Sequence, residues 1–218
     1  MALSSGETSL KNYPIAERIS YLSLLATLAA ADGIAEAEEI ENLTKLCQAA
    51  CLGEETTNNI LKIAQGQSEL DFNANIELLK KSELRFTFIL DTILLAHADG
   101  EVEEKETQEI QKFSELLEIQ ASQLSVLHSF AKDLHEAKVR NATPEELEAL
   151  GKKYAEIFEV SKMDAKALFL GGIGYGFSSI MSGITKGVGV AVDYVTTGLK
   201  ATYRGVKSLW NKLTSKQG

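Results

Sequence analysis

The residues of this 218-residue chain whose types and spacing could do chemistry are two groups of carboxylates. Asp32 is followed by Gly33 and by Glu36, Glu38 and Glu39. Asp99 is followed by Gly100 and by Glu101, Glu103, Glu104 and Glu106. In each group an aspartate ends an apolar run, a glycine turns the chain, and glutamates return four and seven positions on. Such a set gathers several oxygens in a small volume, which is what the hard cations calcium, magnesium and manganese require. The spacing is not that of an EF-hand, which alternates its acids along a loop and ends in a glutamate at the twelfth position. Acids in the first turn of a helix also oppose the helix dipole and accept hydrogen bonds from free amides. On residue chemistry alone, helix capping and cation binding therefore both stand.

The elements that must carry these acids occur twice. Ala31-Asp32-Gly33 returns 67 residues later as Ala98-Asp99-Gly100, and at the same offset Arg18 matches Arg85, Glu36 matches Glu103, Glu39 matches Glu106 and Lys45 matches Lys112. A duplicated unit of apolar helix, Asp-Gly break and acidic helix start predicts a pseudo-twofold helical pair. Apolar residues recur at spacings of three and four through nearly the whole chain, which contains two prolines. That pattern predicts an all-α fold. Helices are expected near 14–29, 36–51, 55–64, 73–81, 83–98, 103–117 and 121–138. A further one starts at the capping box Thr143-Pro144-Glu145-Glu146 and runs to about Phe158. Gly53 is expected to end the second helix in a left-handed conformation. The expected core comprises Leu22, Leu25, Ile40, Leu43, Phe88, Leu95, Ile110, Phe113, Leu117 and Leu127.

Charge divides the chain. Residues 1–160 carry 29 acidic and 14 basic side chains, and residues 161–218 carry 2 and 8. The expected organisation is a flexible leader over 1–13, a bundle over 14–160 and a basic extension over 161–218. Met1 to Pro14 lacks the basic start and apolar run of a secretory signal, which predicts a cytoplasmic address. Cys47 and Cys51 sit one helical turn apart, a spacing that fits neither a redox pair nor a disulfide framework, so both are expected as buried, inert thiols. His97 has Ala30 as its counterpart, and His128 and His135 lack a third partner, so none is expected as a ligand.

The segments ADGIAEAEE and ADGEVEEKE, each closing an apolar helix, resemble the tellurite-resistance TerB-like family over about residues 14–135. The resemblance implies a duplicated helical bundle whose acids bind a divalent cation, in stress-response and phage-defence systems that often lie beside membrane components. Carried onto this chain, it implicates Asp32, Glu39, Asp99 and Glu106. Glu36 and Glu103 depart from the small hydroxyl residue often found in the family four positions after the aspartate, which weakens capping there and adds charge.

Beyond about residue 165 glycines accumulate and acids almost vanish. An 11-residue period takes in Ile173, Ile184, Val195 and Val206, and a second series four residues on takes in Phe177, Val188, Leu199 and Trp210. Eleven residues are three turns, so the eight side chains form one stripe about 56 Å long on a helix. Interior glycines cost about 0.8–1 kcal/mol each, so this helix needs outside support. An anionic membrane surface, with Lys200, Arg204 and Lys207 at its head groups, would supply it. So would packing against other helices, in a homo-oligomer or on the chain's own bundle. Residues 167–185 are uncharged but hold five glycines and four serine or threonine residues, too polar a stretch to favour a true span.

The expectation is thus a non-enzymatic, cation-binding adaptor or scaffold, peripheral to the inner face of the membrane, in a stress-response or defence system. A carboxylate-metal hydrolase is the rival, as is a self-assembling helical protein whose stripe packs on itself. No nucleophile motif or phosphate-binding loop is present, and Gly171 to Gly176 follows no expected strand. The acidic bundle argues against a nucleic-acid partner.

Overall fold

The computed structural model describes residues 10–30, 35, 37–96 and 104–168, and within these every regular element is helical. A 3-10 turn, Leu10–Asn12, precedes α1 (Ile15–Ala29), α2 (Ala37–Ala49), α3 (Glu54–Ala64), α4 (Phe72–Leu79), α5 (Leu84–Ala96), α6 (Glu104–Leu116), α7 (Ala121–Val139), α8 (Pro144–Val160) and a single turn, α9 (Ala165–Leu168). The 67-residue offset survives in the folded chain. It relates the ends of α1 and α5, both ends of α2 and α6, and the starts of α3 and α7.

Packing repeats as well. α1 lies against α2 and α3 as α5 lies against α6 and α7, and α1 meets α5 directly. α4 covers α1, α8 covers α7, and α9 rests on α5 and α8. Leu22, Leu43, Phe88, Ile110, Phe113, Leu117 and Leu127 are buried, while Leu25 and Ile40 are partly buried against the same core. The side chain of Leu95 lies outside the described residues. Leu10 joins the core from the turn before α1.

Local signals account for several helix starts. Thr143 Oγ1 accepts from the Glu146 amide at 3.3 Å while Glu146 Oε2 accepts from the Thr143 amide at 2.8 Å, the reciprocal pair that the spacing predicts. Asp71 caps α4 by accepting from the Ala74 amide at 3.1 Å.

The helix ends correct one expectation. The left-handed residue after α2 is Cys51, at φ 51°, whereas Gly53 is extended and caps the start of α3. The Leu52 amide donates to the Cys47 carbonyl at 3.0 Å and the Cys51 amide to Gln48 at 2.9 Å, a Schellman closure. Sixty-seven residues later the same closure recurs at Glu118, with Ile119 donating to Ser114 at 2.8 Å. α7 and α8 close likewise through Asn141 and Lys162. The residue after each left-handed position, Leu52, Ile119, Ala142 or Met163, is apolar and packs into or against the core. That burial is what holds an ordinary residue in a conformation glycine would adopt at no steric cost.

The cysteines also differ from expectation. Cys47 is buried, and burial pushes its thiol up to about 11, with a hydrogen bond to Thr57 acting the other way. Cys51, at the turn, is exposed. In the extension, Met163 and Leu168 are 3% and 0% exposed, so the packed core continues through α9. The stripe residues Ile173, Phe177, Ile184, Val188, Val195, Leu199, Lys200, Arg204, Val206, Lys207 and Trp210 lie outside the described residues.

Candidate cation site

α2 begins one helical turn after Gly33, and its first turn carries Glu39. This side chain is 3% exposed, although Glu41, two positions on, is 65% exposed and pairs with Lys45 at 2.6 Å across one turn. The difference follows from period: Glu39 shares the inward stripe with Leu43, Cys47 and Ala50, whereas Glu41 and Lys45 lie on the outer face. An acid serving only to oppose the helix dipole gains nothing from leaving water, and burying a carboxylate is costly unless charge or hydrogen bonding compensates it.

The approach to α2 is held from two sides. The Ala35 amide, just ahead of the helix, donates to the Ala64 carbonyl at 3.0 Å, which ties Ala35 to the end of α3. At the far end of α2, Arg18 of α1 donates through its guanidinium to the Ala50 carbonyl, placing a cation where the helix dipole is negative. Its repeat partner Arg85 does the same for a different helix, donating to the Lys80 and Ser82 carbonyls at 3.1 and 3.0 Å beyond α4. The matched arginines are therefore helix-end clamps in both units.

Of the four expected ligands, Glu39 is the one whose side chain is described. Asp32 and Asp99 lie outside the described residues, and Glu106 belongs to α6 with its side chain likewise outside them. Among the described residues no group of three or more histidines, cysteines and acids could hold a metal ion. The four expected ligands are all carboxylates, oxygen donors of the kind that would suit a hard cation rather than zinc. His128 and His135 stand half-buried on α7, and His97 lies outside the described residues.

One pair emerges from the structure that spacing did not single out. Asp91, in the middle of α5, is 1% exposed and accepts a hydrogen bond from the Tyr21 hydroxyl of α1. The signal was present as an acid inside the run Ile89-Leu90-Asp91-Thr92-Ile93, but its partner lies 70 residues away.

No helix among the described residues is long and apolar enough to cross a membrane. The comparisons add a family and nothing narrower. No curated protein and no solved structure matches the chain. A family model described as tellurite resistance protein TerB matches residues 18–128, from the first turn of α1 into α7, and so takes in both Ala-Asp-Gly units and just over half of the chain. With the duplicated helices in place across that span, the chain belongs to the TerB family of tellurite resistance proteins.

Proposed function

We propose that this chain is a non-enzymatic, cation-binding adaptor that uses its basic carboxy-terminal segment to associate with anionic membrane surfaces, in a stress-response or defence setting. The observation that carries the cation half is the burial of Glu39 in the first turn of α2. A covered carboxylate beside an Asp-Gly turn is what a site for calcium, magnesium or manganese would need, and Asp32, Asp99 and Glu106 are its proposed companions. The membrane half rests on the charge division and the apolar stripe from Ile173 to Trp210. The buried Leu168 favours a second reading for the start of that segment, in which α9 stays on the bundle and the membrane contacts begin beyond it.

Calorimetric titration of the whole chain with calcium, magnesium and manganese tests the first half. Binding tighter than millimolar that Glu39→Gln weakens supports it; no binding in any titration sinks it. Co-sedimentation with anionic and neutral vesicles tests the second half, comparing the whole chain with one ending at Leu168. Trp210 is the single tryptophan, so its emission reports on this segment alone. Equal sedimentation of the two chains, with no blue shift, would reject the membrane role.

A further inference from the structure

Three segments far apart in sequence meet where the carboxy-terminal segment leaves the bundle. At the start of α1, Glu17 accepts a hydrogen bond from the Ser82 hydroxyl, just ahead of α5. Next to Ser82, Glu83 accepts from the Asp164 amide, between α8 and α9, at 3.4 Å. The Tyr13 hydroxyl is pushed above its ordinary range first by burial and then by the charges of Asp164, Glu83 and Glu17, so the three carboxylates stand around it. Arg85, 3.7 Å from Glu83, offsets part of that charge. One turn past Asp164, Leu168 is fully buried and donates its amide to the Asp164 carbonyl at 3.1 Å, which anchors the departing chain at this junction.

The same end collects exposed apolar side chains. Among the described residues the large ones are Ile15, Leu78, Val139 and Val160. Ile15 lies two residues before Glu17, Leu78 four before Ser82 and Val160 four before Asp164, so three of the four surround the junction. Val139 is at the opposite end. Gln123, near the start of α7, donates to the Ser161 carbonyl at 3.0 Å, and α7 runs about 24 Å from there to Val139. Lysines divide likewise. Lys45, Lys80, Lys132, Lys152 and Lys153 pair with acids, whereas Lys62, Lys81 and Lys162 are exposed and form no ion pair with another described residue. Lys81 and Lys162 each precede a member of the Glu83–Asp164 contact by two residues. Lys62 is two residues from Ala64, whose carbonyl holds Ala35 beyond the far end of α1.

Ile173 follows Leu168 by five residues, at most about 17 Å of extended chain. A stripe bound to a bilayer therefore keeps the junction within that distance of the surface, and a bundle standing there holds the far end of α1 about 22 Å farther off. Apolar side chains among unpaired lysines suit an anionic interface. We propose that Ile15, Leu78, Val160, Lys81 and Lys162 form a footprint through which the bundle stands end-on on the same anionic bilayer that the carboxy-terminal segment binds. This rests on the membrane reading, and its test separates the two.

The test is co-sedimentation of the whole chain with phosphatidylserine-containing and neutral vesicles. It compares the near-end variant Lys81→Gln/Val160→Ser with the far-end variant Lys62→Gln/Val139→Ser. Each removes one lysine and one valine, all exposed, so both should melt with the parent. A lysine held at an anionic surface contributes about fivefold in affinity. The near-end variant should thus bind anionic vesicles about fivefold more weakly, adding Lys162→Gln should weaken it further, and the loss should shrink at high salt. The far-end variant should bind within about twofold of the parent. Equal binding by the near- and far-end variants of a chain that does bind overturns the footprint and leaves the membrane reading standing. If the parent binds neither vesicle, the membrane reading fails and the footprint fails with it. If the near-end variant binds vesicles as the parent does but loses a dimer seen by sedimentation velocity, the face meets a second copy, and the membrane assignment is overturned.

Discussion

Leu168→Ala is the substitution that most directly asks where the bundle ends. Leu168 closes α9 and is 0% exposed, and α9 packs on α5 and α8. The backbone there is also tethered: Asp164 donates its amide to Glu83 Oε2 at 3.4 Å, and Met163 donates to the Phe158 carbonyl at 2.9 Å. Truncating a fully buried leucine costs about 2–5 kcal/mol, the lower half applying where the surroundings can relax. A single helical turn can move outward, so about 2–3 kcal/mol is expected. At about 2–4 °C per kcal/mol for a chain of this size, the melting temperature should fall by roughly 4–12 °C. Val160→Ala, at a side chain 84% exposed only eight residues earlier, should change it by less than about 0.5 kcal/mol. Circular dichroism melts of the full-length variants and of chains ending at Ser161 and Leu168 decide the matter. The chain ending at Ser161 should melt below the one ending at Leu168. If Leu168→Ala melts with Val160→Ala, α9 contributes nothing to the core, and a chain ending at Ser161 becomes the proper control for vesicle binding.

Three further outcomes follow from named groups. Glu118 is held at φ 56° beyond the last turn of α6, where its charge also meets the negative end of the helix dipole, so Glu118→Gly should stabilise by about 1 kcal/mol and Glu118→Ala by less; equal urea midpoints would refute the strain argument. In native protein Ellman's reagent should titrate one thiol, Cys51, with Cys47 reacting only on unfolding. The raised Cys47 thiol also stabilises the fold at pH below its ordinary value near 9 and loses that contribution as pH climbs toward about 11, so Cys47→Ala should flatten the alkaline limb of a stability–pH curve. Asp133 is held below the usual carboxylate range by its hydrogen bond from Lys153 at 3.0 Å, with Tyr154 also donating and burial opposing. Its contribution is present above the ordinary aspartate value near 4 and is lost as pH falls through the lower folded value. Asp133→Asn should cost less than about 1 kcal/mol at pH 7, shrinking in salt, and a loss that persists unchanged at 1 M salt would contradict the ion-pair origin.

Helices were legible wherever their causes are local. The Thr143 capping box links residues three apart in sequence, so α8 declares itself by period and by a cap that a reader of the chain can count, and α1 by period and by Pro14 at its start. The 67-residue repeat likewise predicted helix bounds, because two copies of one pattern nucleate and stop in the same places. The end of α2 was misread for a physical reason. A glycine marks where a left-handed turn is easiest, but the chain turned two residues earlier, at Cys51, because Leu52 gains more by packing against the core than Cys51 loses in backbone strain. Cys51 is therefore exposed while Cys47 is not. Composition and period determined by themselves that the chain is helical, duplicated, and acidic at two matched turns. Only tertiary structure decided that Glu39 is covered while Glu41 is in water, that Leu168 belongs to the bundle, and that Asp91 meets a tyrosine from the other unit. Each of these depends on which helix lies across another, and contacts between residues 70 positions apart leave no trace in local spacing.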